Sequence, residues 1–339
     1  MIEPAARTDL GRTELSVTRV GLGTAPLGGL FQPVDESDAV GAIEAAYGLG
    51  LRLFDTAPLY GHGLSERRLG LALAARPRDE FVLATKVGRL LRAGAPPDES
   101  QLSGGLERWR NAPPVNPVFD FSFDGVMRSF EESLERLGLE RIDILHIHDP
   151  DDHDEEALAG AYRALARLRD EGAIGAVGAG MNQPEMLVRF AREADFDCFL
   201  VAGRYTLLDQ VALLDLLPLC FERGIAVILG GVYNSGILAD PRPGAMFDYA
   251  PAASALVERA QHLQAVCRRH GVPLKAAAIQ FPLAHPAVTS LLLGARSVAE
   301  LEENLELLAT PVPVDLWEEL RRERLIPEEA PVPTDEVAP

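Results

Sequence analysis

The sequence predicts a single (β/α)8 barrel, on two observations. Short apolar runs alternate with longer amphipathic ones along the chain, the pattern of parallel strands joined by helical crossovers. The strands number eight and no shift in composition separates two halves, which favours closure into a barrel over an open doubly wound sheet.

The elements follow in order. A hairpin is expected around Leu10–Val17. Four strands are then read at Arg19–Thr24, Leu51–Asp55, Phe81–Lys86 and Ile142–His148. Four more lie at Ala173–Gly178, Cys198–Arg204, Ile225–Gly230 and Val288–Gly294. Helical patterns include Asp124–Leu137, Glu155–Glu171, Ala252–His270 and Val298–Leu308. Start signals stand at Ser122 or Asp124 and at Ser297. Glycines 50, 138, 172, 224 and 271 mark helix ends. Two stretches break the repeat. Residues 89–121 form a long insertion after the third strand, where loops at a barrel's C-terminal face shape the site. Residues 311–339 form a Pro- and Glu-rich tail, expected to end disordered or draped over a barrel domain of residues 1–310.

Composition narrows the function. The 339 residues are 47% apolar, enough for a sizeable core, and the formal net charge is -19. Such a field repels nucleic acid and anionic lipid, and no basic stripe offsets it locally. Cys198, Cys220 and Cys267 are far apart and odd in number, which suits a reducing compartment. With no basic-then-apolar N-terminus and no membrane-length apolar run, a cytoplasmic protein is expected. Neither nucleic acid nor membrane is expected as a partner, and the state is read as a monomer or small homo-oligomer.

The chemistry gathers at strand ends. Phe54-Asp55-Thr56-Ala57-Pro58-Leu59-Tyr60-Gly61 puts a carboxylate at the end of a buried strand and a tyrosine on the loop above. Thr85-Lys86 ends the next strand, so Asp55 and Lys86 should pair at the rim, since a buried lysine is costly alone. A charged lysine beside Tyr60 is expected to lower the phenol pKa and make a proton shuttle. In Ile144-Leu145-His146-Ile147-His148 the two histidines share a face, with His148 nearer the C-terminal end. There a neutral imidazole could hold a substrate oxygen in line with Tyr60. His146, one layer deeper, reads as a core histidine. An HxH pair on a barrel strand also suits a metal-dependent hydrolase, but the later strand ends, Gly178-Ala179-Gly180, Gly203-Arg204 and Gly294-Ala295, offer no ligands. No metal is expected. Asp55 with Lys86 alone would be read as a structural ion pair, and Tyr60 with His148 argues otherwise. Gly21–Gly28 lacks the third glycine of a dinucleotide fingerprint, and Pro26 stands where the helix should open.

The set Asp55, Tyr60, Lys86 and His148, in this order on these strands, resembles the catalytic tetrad of the aldo-keto reductases, from Arg7 to about Ala309. Residues 128–149 are similar to that family's helix and fourth strand. Ala202-Gly203-Arg204-Tyr205-Thr206-Leu207-Leu208 resembles the branch of D-threo-aldose, L-fucose and pyridoxal dehydrogenases. The resemblance implies an NAD or NADP cofactor. Gly23 and Thr24 would approach it with Asp55, and Asn182 would bind the carboxamide, near Tyr205 and Gly230. Tyr233, Asn234, Ser235, Gly236 and Leu238 would fold over the pyrophosphate, and Gly294, Arg296, Glu300 and Asn304 would hold the adenosine. Phosphate sites after strands seven and eight agree with this. Gly230 replaces a stacking aromatic and Ala202 a glutamine of many relatives. Gly294 and Glu300 stand where NADP-binding members carry Lys and Arg, which tilts the choice to NAD, although Arg296 could still bind a ribose phosphate. Substrate contacts are expected from Tyr60, His148 and Trp109. The expected reaction is oxidation of a free aldose's anomeric hydroxyl to the lactone, with pyridoxal oxidation, general aldehyde reduction and a cofactor-binding regulatory subunit as alternatives.

Overall fold

A computed structural model of the chain describes residues 3–97, 102–103 and 106–334. Its centre is a closed barrel of eight parallel strands. They are Val20–Gly23, Leu53–Asp55, Val82–Val87, Ile144–His148, Ala176–Met181, Cys198–Ala202, Ala226–Gly230 and Val288–Gly294. Each pairs with the next, and the eighth closes on the first, where Gly294 opposes Gly23. The fifth strand lies three residues later than its sequence reading, ending at Met181.

Alternation sorts side chains into two cores. Leu53, Val82, Ala84, Ile144, Ala176, Cys198, Leu200, Ala226, Ile228 and Leu292 fill the barrel interior. The expected hairpin pairs Arg7–Asp9 with Ser16–Thr18, and its Leu10 and Val17 complete that interior cluster. The alternate residues, such as Phe54, Leu83, Leu145 and Phe199, face the surrounding helices. Residues 154–170 are helical, with a π-helical stretch at Ala157–Tyr162 that widens the turn.

The insertion continues directly from the third strand. Arg89–Ala93 pairs antiparallel with Val115–Phe119, and Trp109 bridges back to Leu30. The tail differs from expectation. Val314–Arg322 is a helix whose Leu316, Trp317 and Leu320 are fully buried, with Trp317 6.2 Å from the Phe281 ring. Its apolar residues at helical spacing outweigh the Pro and Glu content that argued for disorder.

Candidate active site

Inward alternation brings Asp55, Lys86, His146 and His148 into the barrel's upper layers. Lys86 opposes His146 in register and is 1% exposed. Its ammonium donates to both Asp55 oxygens, at 2.9 and 2.7 Å, and to the Thr56 carbonyl at 2.8 Å. All three protons are therefore used, and the buried charge is compensated. On the outward face of the same strand Thr85 donates to buried Glu66, which Arg136 pairs at 2.5 Å.

The loop after the second strand carries Tyr60. It crosses so close to Gly28 that a Cβ on Gly28 would meet the Tyr60 backbone at 2.7 Å, and Gly61 takes a left-handed φ of 61°. Glycine is required at both places. Tyr60 is thereby held with its ring centroid 4.6 Å from the Lys86 nitrogen and perpendicular to His148 at 5.9 Å. The four tetrad residues predicted from sequence thus converge.

The electrostatics correct one expectation. The Tyr60 phenol is pushed well above its ordinary value, by burial first and then by the nearby Asp55 carboxylate. The expected lowering by Lys86 does not appear, because that ammonium is already neutralised by Asp55. His148 is held well below the usual imidazole range by burial, then by Arg89, Lys86 and His146, so it is neutral near pH 7. His146 is pushed down to about 3 by burial and Lys86, and neither ring nitrogen has a hydrogen-bond partner among the described residues. It is a core residue below the site.

The residues expected to hold a cofactor fall into two groups. Tyr233 donates to Asn304 at 2.8 Å, and Asn304 donates in turn to the Gly294 carbonyl at 3.4 Å, tying the loop after strand seven to strand eight. Asn234 and Ser235 both adopt left-handed backbone, with φ of 46° and 57°. Asn234 donates to the Gly203 carbonyl, while its buried Oδ1 has no hydrogen-bond partner among the described residues. A Cβ on Gly236 would meet nothing within 4 Å, and one on Gly230 only Leu200 at 3.6 Å. Gly230 opposes Ala202, so two small residues lie side by side. Gly23 and half-buried Asn182 lie at the ends of strands one and five. A carboxamide oxygen unpartnered among the described residues, open space at Gly236 and the N-terminus of helix Val298–Ala309 fit a dinucleotide.

Three residues of the expected set do other work. Thr24 is buried, donating to the Asp55 carbonyl and accepting from Ser65. Tyr205 is buried against Phe281 and His285, 5.4 and 5.5 Å away, within the core that faces the helices. Leu238 is fully buried in that same core. Their side chains are enclosed by packing rather than presented to a ligand. Arg296 is committed too: it pairs with Glu300 through Nε at 3.0 Å and Nη2 at 2.6 Å, and its backbone N–H donates to the same carboxylate.

Trp109 is 5% exposed, and its ring lies 5.6 Å from Tyr60. Three residues that the sequence reading gave no role surround this pair. Arg89 is 5% exposed, Asp149 has an oxygen 3.4 Å from His148 Nε2, and Tyr249 packs 6.1 Å from Phe31 with the Arg108 guanidinium 4.3 Å over its ring. Arg89 and Asp149 follow Lys86 and His148 closely in sequence, the only signal available for them. Arg110 reaches the Phe31 carbonyl, and Asp120 accepts from Ser122 at the start of a helix. Phe121 is packing, stacked on Phe119.

A closed eight-strand barrel with a lysine–carboxylate pair, a tyrosine and a neutral histidine at its C-terminal rim defines an oxidoreductase that moves a proton at a carbonyl or hydroxyl oxygen. Residues 19–322 match the Aldo/keto reductase family, and the chain belongs to it. Pyridoxal 4-dehydrogenase of Microbacterium luteolum is 45% identical, covering 96% of this chain and 99% of its own. D-threo-aldose 1-dehydrogenase of a Pseudomonas species is 43% identical over 96% and 98%. Among solved structures, an aldo-keto reductase from Bacillus halodurans in its holo form superposes with a TM-score of 0.71 at 25% identity, covering 97% of this chain and 98% of its own. The chain is an NAD(P)-dependent oxidoreductase acting on CH–OH groups. No helix of the described residues is long and apolar enough to cross a membrane.

Proposed function

We propose that the chain is an NAD-dependent dehydrogenase that oxidises the anomeric hydroxyl of a free aldose, of the L-fucose or D-threo type, to the lactone. The observation that carries the chemistry is the convergence of Tyr60 with the Lys86–Asp55 pair and His148. Tyr60 takes the hydroxyl proton of the substrate. Its raised pKa keeps the phenol protonated, so the proton is present for the reverse direction and little tyrosinate is available as base in the free chain. Neutral His148 donates to the substrate oxygen and aligns it with Tyr60. The nicotinamide, when bound, supplies the hydride acceptor and a positive charge that favours loss of the Tyr60 proton. Asn182, Asn234, Ser235 and Asn304 would hold the dinucleotide, and Trp109 would form one wall for the substrate.

Two observations support the finer choices. Glu300 engages Arg296 on two nitrogens, leaving a carboxylate rather than a free cation beside the adenosine position, which favours NAD. Beside Trp109 lie Arg108 and Tyr249, polar groups suited to a polyhydroxylated substrate. The second reading, pyridoxal oxidation, is favoured by the 45% identical relative of that name. The test is absorbance at 340 nm with NAD or NADP across free aldoses and pyridoxal. An NAD-dependent rise with an aldose supports the proposal, and a rise with pyridoxal alone replaces it with the second reading.

A further inference from the structure

His148 must present a proton to the substrate oxygen, yet burial beside Arg89, Lys86 and the His146 imidazole leaves it only one ring proton to place. In water the two tautomers of imidazole differ little, so the site must select between them. Nδ1 lies nearer the backbone, so a donor reaching the barrel mouth has to be Nε2. Asp149 Oδ2 lies 3.4 Å from that nitrogen, and among the described residues no other carboxylate pairs with the ring. The contact is electrostatic rather than an aligned hydrogen bond. A lone pair on Nε2 facing a carboxylate is repelled, whereas an N–H there is attracted.

The carboxylate is held in place deliberately. The same Oδ2 is 3.5 Å from both terminal nitrogens of Arg89, and Arg89 Nη1 also reaches the His148 carbonyl at 3.4 Å. Arg89 is almost fully buried and rests on the Phe119 ring at 4.7 Å, so its position is set by packing. Asp149 itself adopts φ 41°, a left-handed conformation uncommon for a residue with a side chain, fixed by its N–H donating to the Gly180 carbonyl at 3.0 Å. Strain of this kind persists where surrounding structure imposes it, and it clusters at functional sites. Lys86 cannot do this work, since its charge is committed to Asp55.

We propose that Asp149, held by Arg89, is a positioning residue that fixes the ring proton of His148 on Nε2. The proposal rests on the role given to His148 above. It assigns the unexplained buried guanidinium a purpose: Arg89 anchors the carboxylate while leaving its long contact to His148 weak enough for a substrate oxygen to replace it.

The test uses the full-length chain, labelled with 15N at histidine, without substrate. Long-range proton–nitrogen correlation distinguishes the two tautomers. The wild type is expected as Nε2–H, and Asp149→Asn as a mixture or as Nδ1–H. Turnover of Asp149→Asn on whichever substrate the wild type uses should fall roughly tenfold, with KM and cofactor affinity within about twofold, because only the competent tautomer fraction works. Arg89→Lys should retain most of both readouts and Arg89→Met should lose them. If Arg89→Met does not fold, Asp149→Asn decides alone. A wild type protonated on Nδ1, or Asp149→Asn with an unchanged tautomer, overturns the proposal. Absence of aldose oxidation by the wild type would instead sink the substrate reading, since the tautomer measurement needs no substrate.

Discussion

Replacing Lys86 with methionine removes the only cation that pairs, among the described residues, with a carboxylate whose side chain is 4% exposed. Asp55 would then be an unpaired buried charge, and breaking such a pair costs about 3–5 kcal/mol. The group has an escape, which sets the ceiling: it can take a proton. At pH 7 that means protonating a carboxyl about three pH units above its ordinary pKa of ~3.9, at 1.36 kcal/mol per unit, or about 4 kcal/mol. At pH 5 the same escape costs only about 1.5 kcal/mol. The sign follows from linkage. Burial already holds the Asp55 carboxyl above its ordinary range against the opposing pull of Lys86, and in Lys86→Met that pull is lost, so the folded pKa rises further, the folded state binds the extra proton and the penalty fades as pH falls. The assay is urea unfolding of wild type and variant at both pH values, with Asp55→Asn/Lys86→Met as a third protein. The double variant, which has no charge to strand, should recover most of the loss at pH 7. An equal deficit at pH 5 and 7, or a double variant as unstable as the single one, would refute the view that Lys86 compensates Asp55.

Three further outcomes are expected. Tyr60→Phe should keep dinucleotide affinity within about twofold, by fluorescence titration, and lose at least roughly a hundredfold in kcat, the usual worth of a proton-transfer group. Glu300→Gln frees Arg296 and removes one carboxylate, so kcat/KM with NADP relative to NAD should rise roughly tenfold in steady-state assays, the effect of one unit charge near a dianion in a wet site. Trp317→Ala should lower unfolding stability by about 3–5 kcal/mol, because the ring is fully buried against Phe281.

The barrel was legible because parallel strands buried on both faces leave continuous apolar runs, and seven of the eight lie within a few residues of their reading. The fifth slipped because Ala173 to Met181 is apolar or glycine throughout, with no polar residue to mark where pairing starts. Composition leaves the tail between disorder and draping over the barrel, while Trp317 and Leu320 at helical spacing after Pro313 carry the signal for packing. Asp55, Tyr60, Lys86 and His148 could be read because their places follow from strand ends and alternation. Arg89 and Asp149 adjoin them in sequence, but nothing local announces a left-handed aspartate or a guanidinium turned back toward a histidine. Tyr249 lies more than a hundred residues from the other walls of the mouth, and only the closed barrel brings it to Phe31 and Arg108. Tyr205 matched a motif, yet packing against Phe281 and His285 claims it for the core.

The run of chain that supplies Lys86 passes through Gly88 and becomes the ladder Arg89–Ala93. Gly88 has φ 102°, and any Cβ there would collide with the Phe121 ring, so this position admits glycine alone. It acts as a pivot between two parts with different freedom to change. Before it, the strand is locked to both neighbours and to the ion pair beneath Tyr60. Beyond it, once Arg89 has met Asp149, the rest of the hairpin can lengthen, shorten or change its side chains with the ammonium still anchored to Asp55. New specificities in such a protein would therefore arise past Gly88 and Arg89, while the proton chemistry they anchor is inherited unchanged.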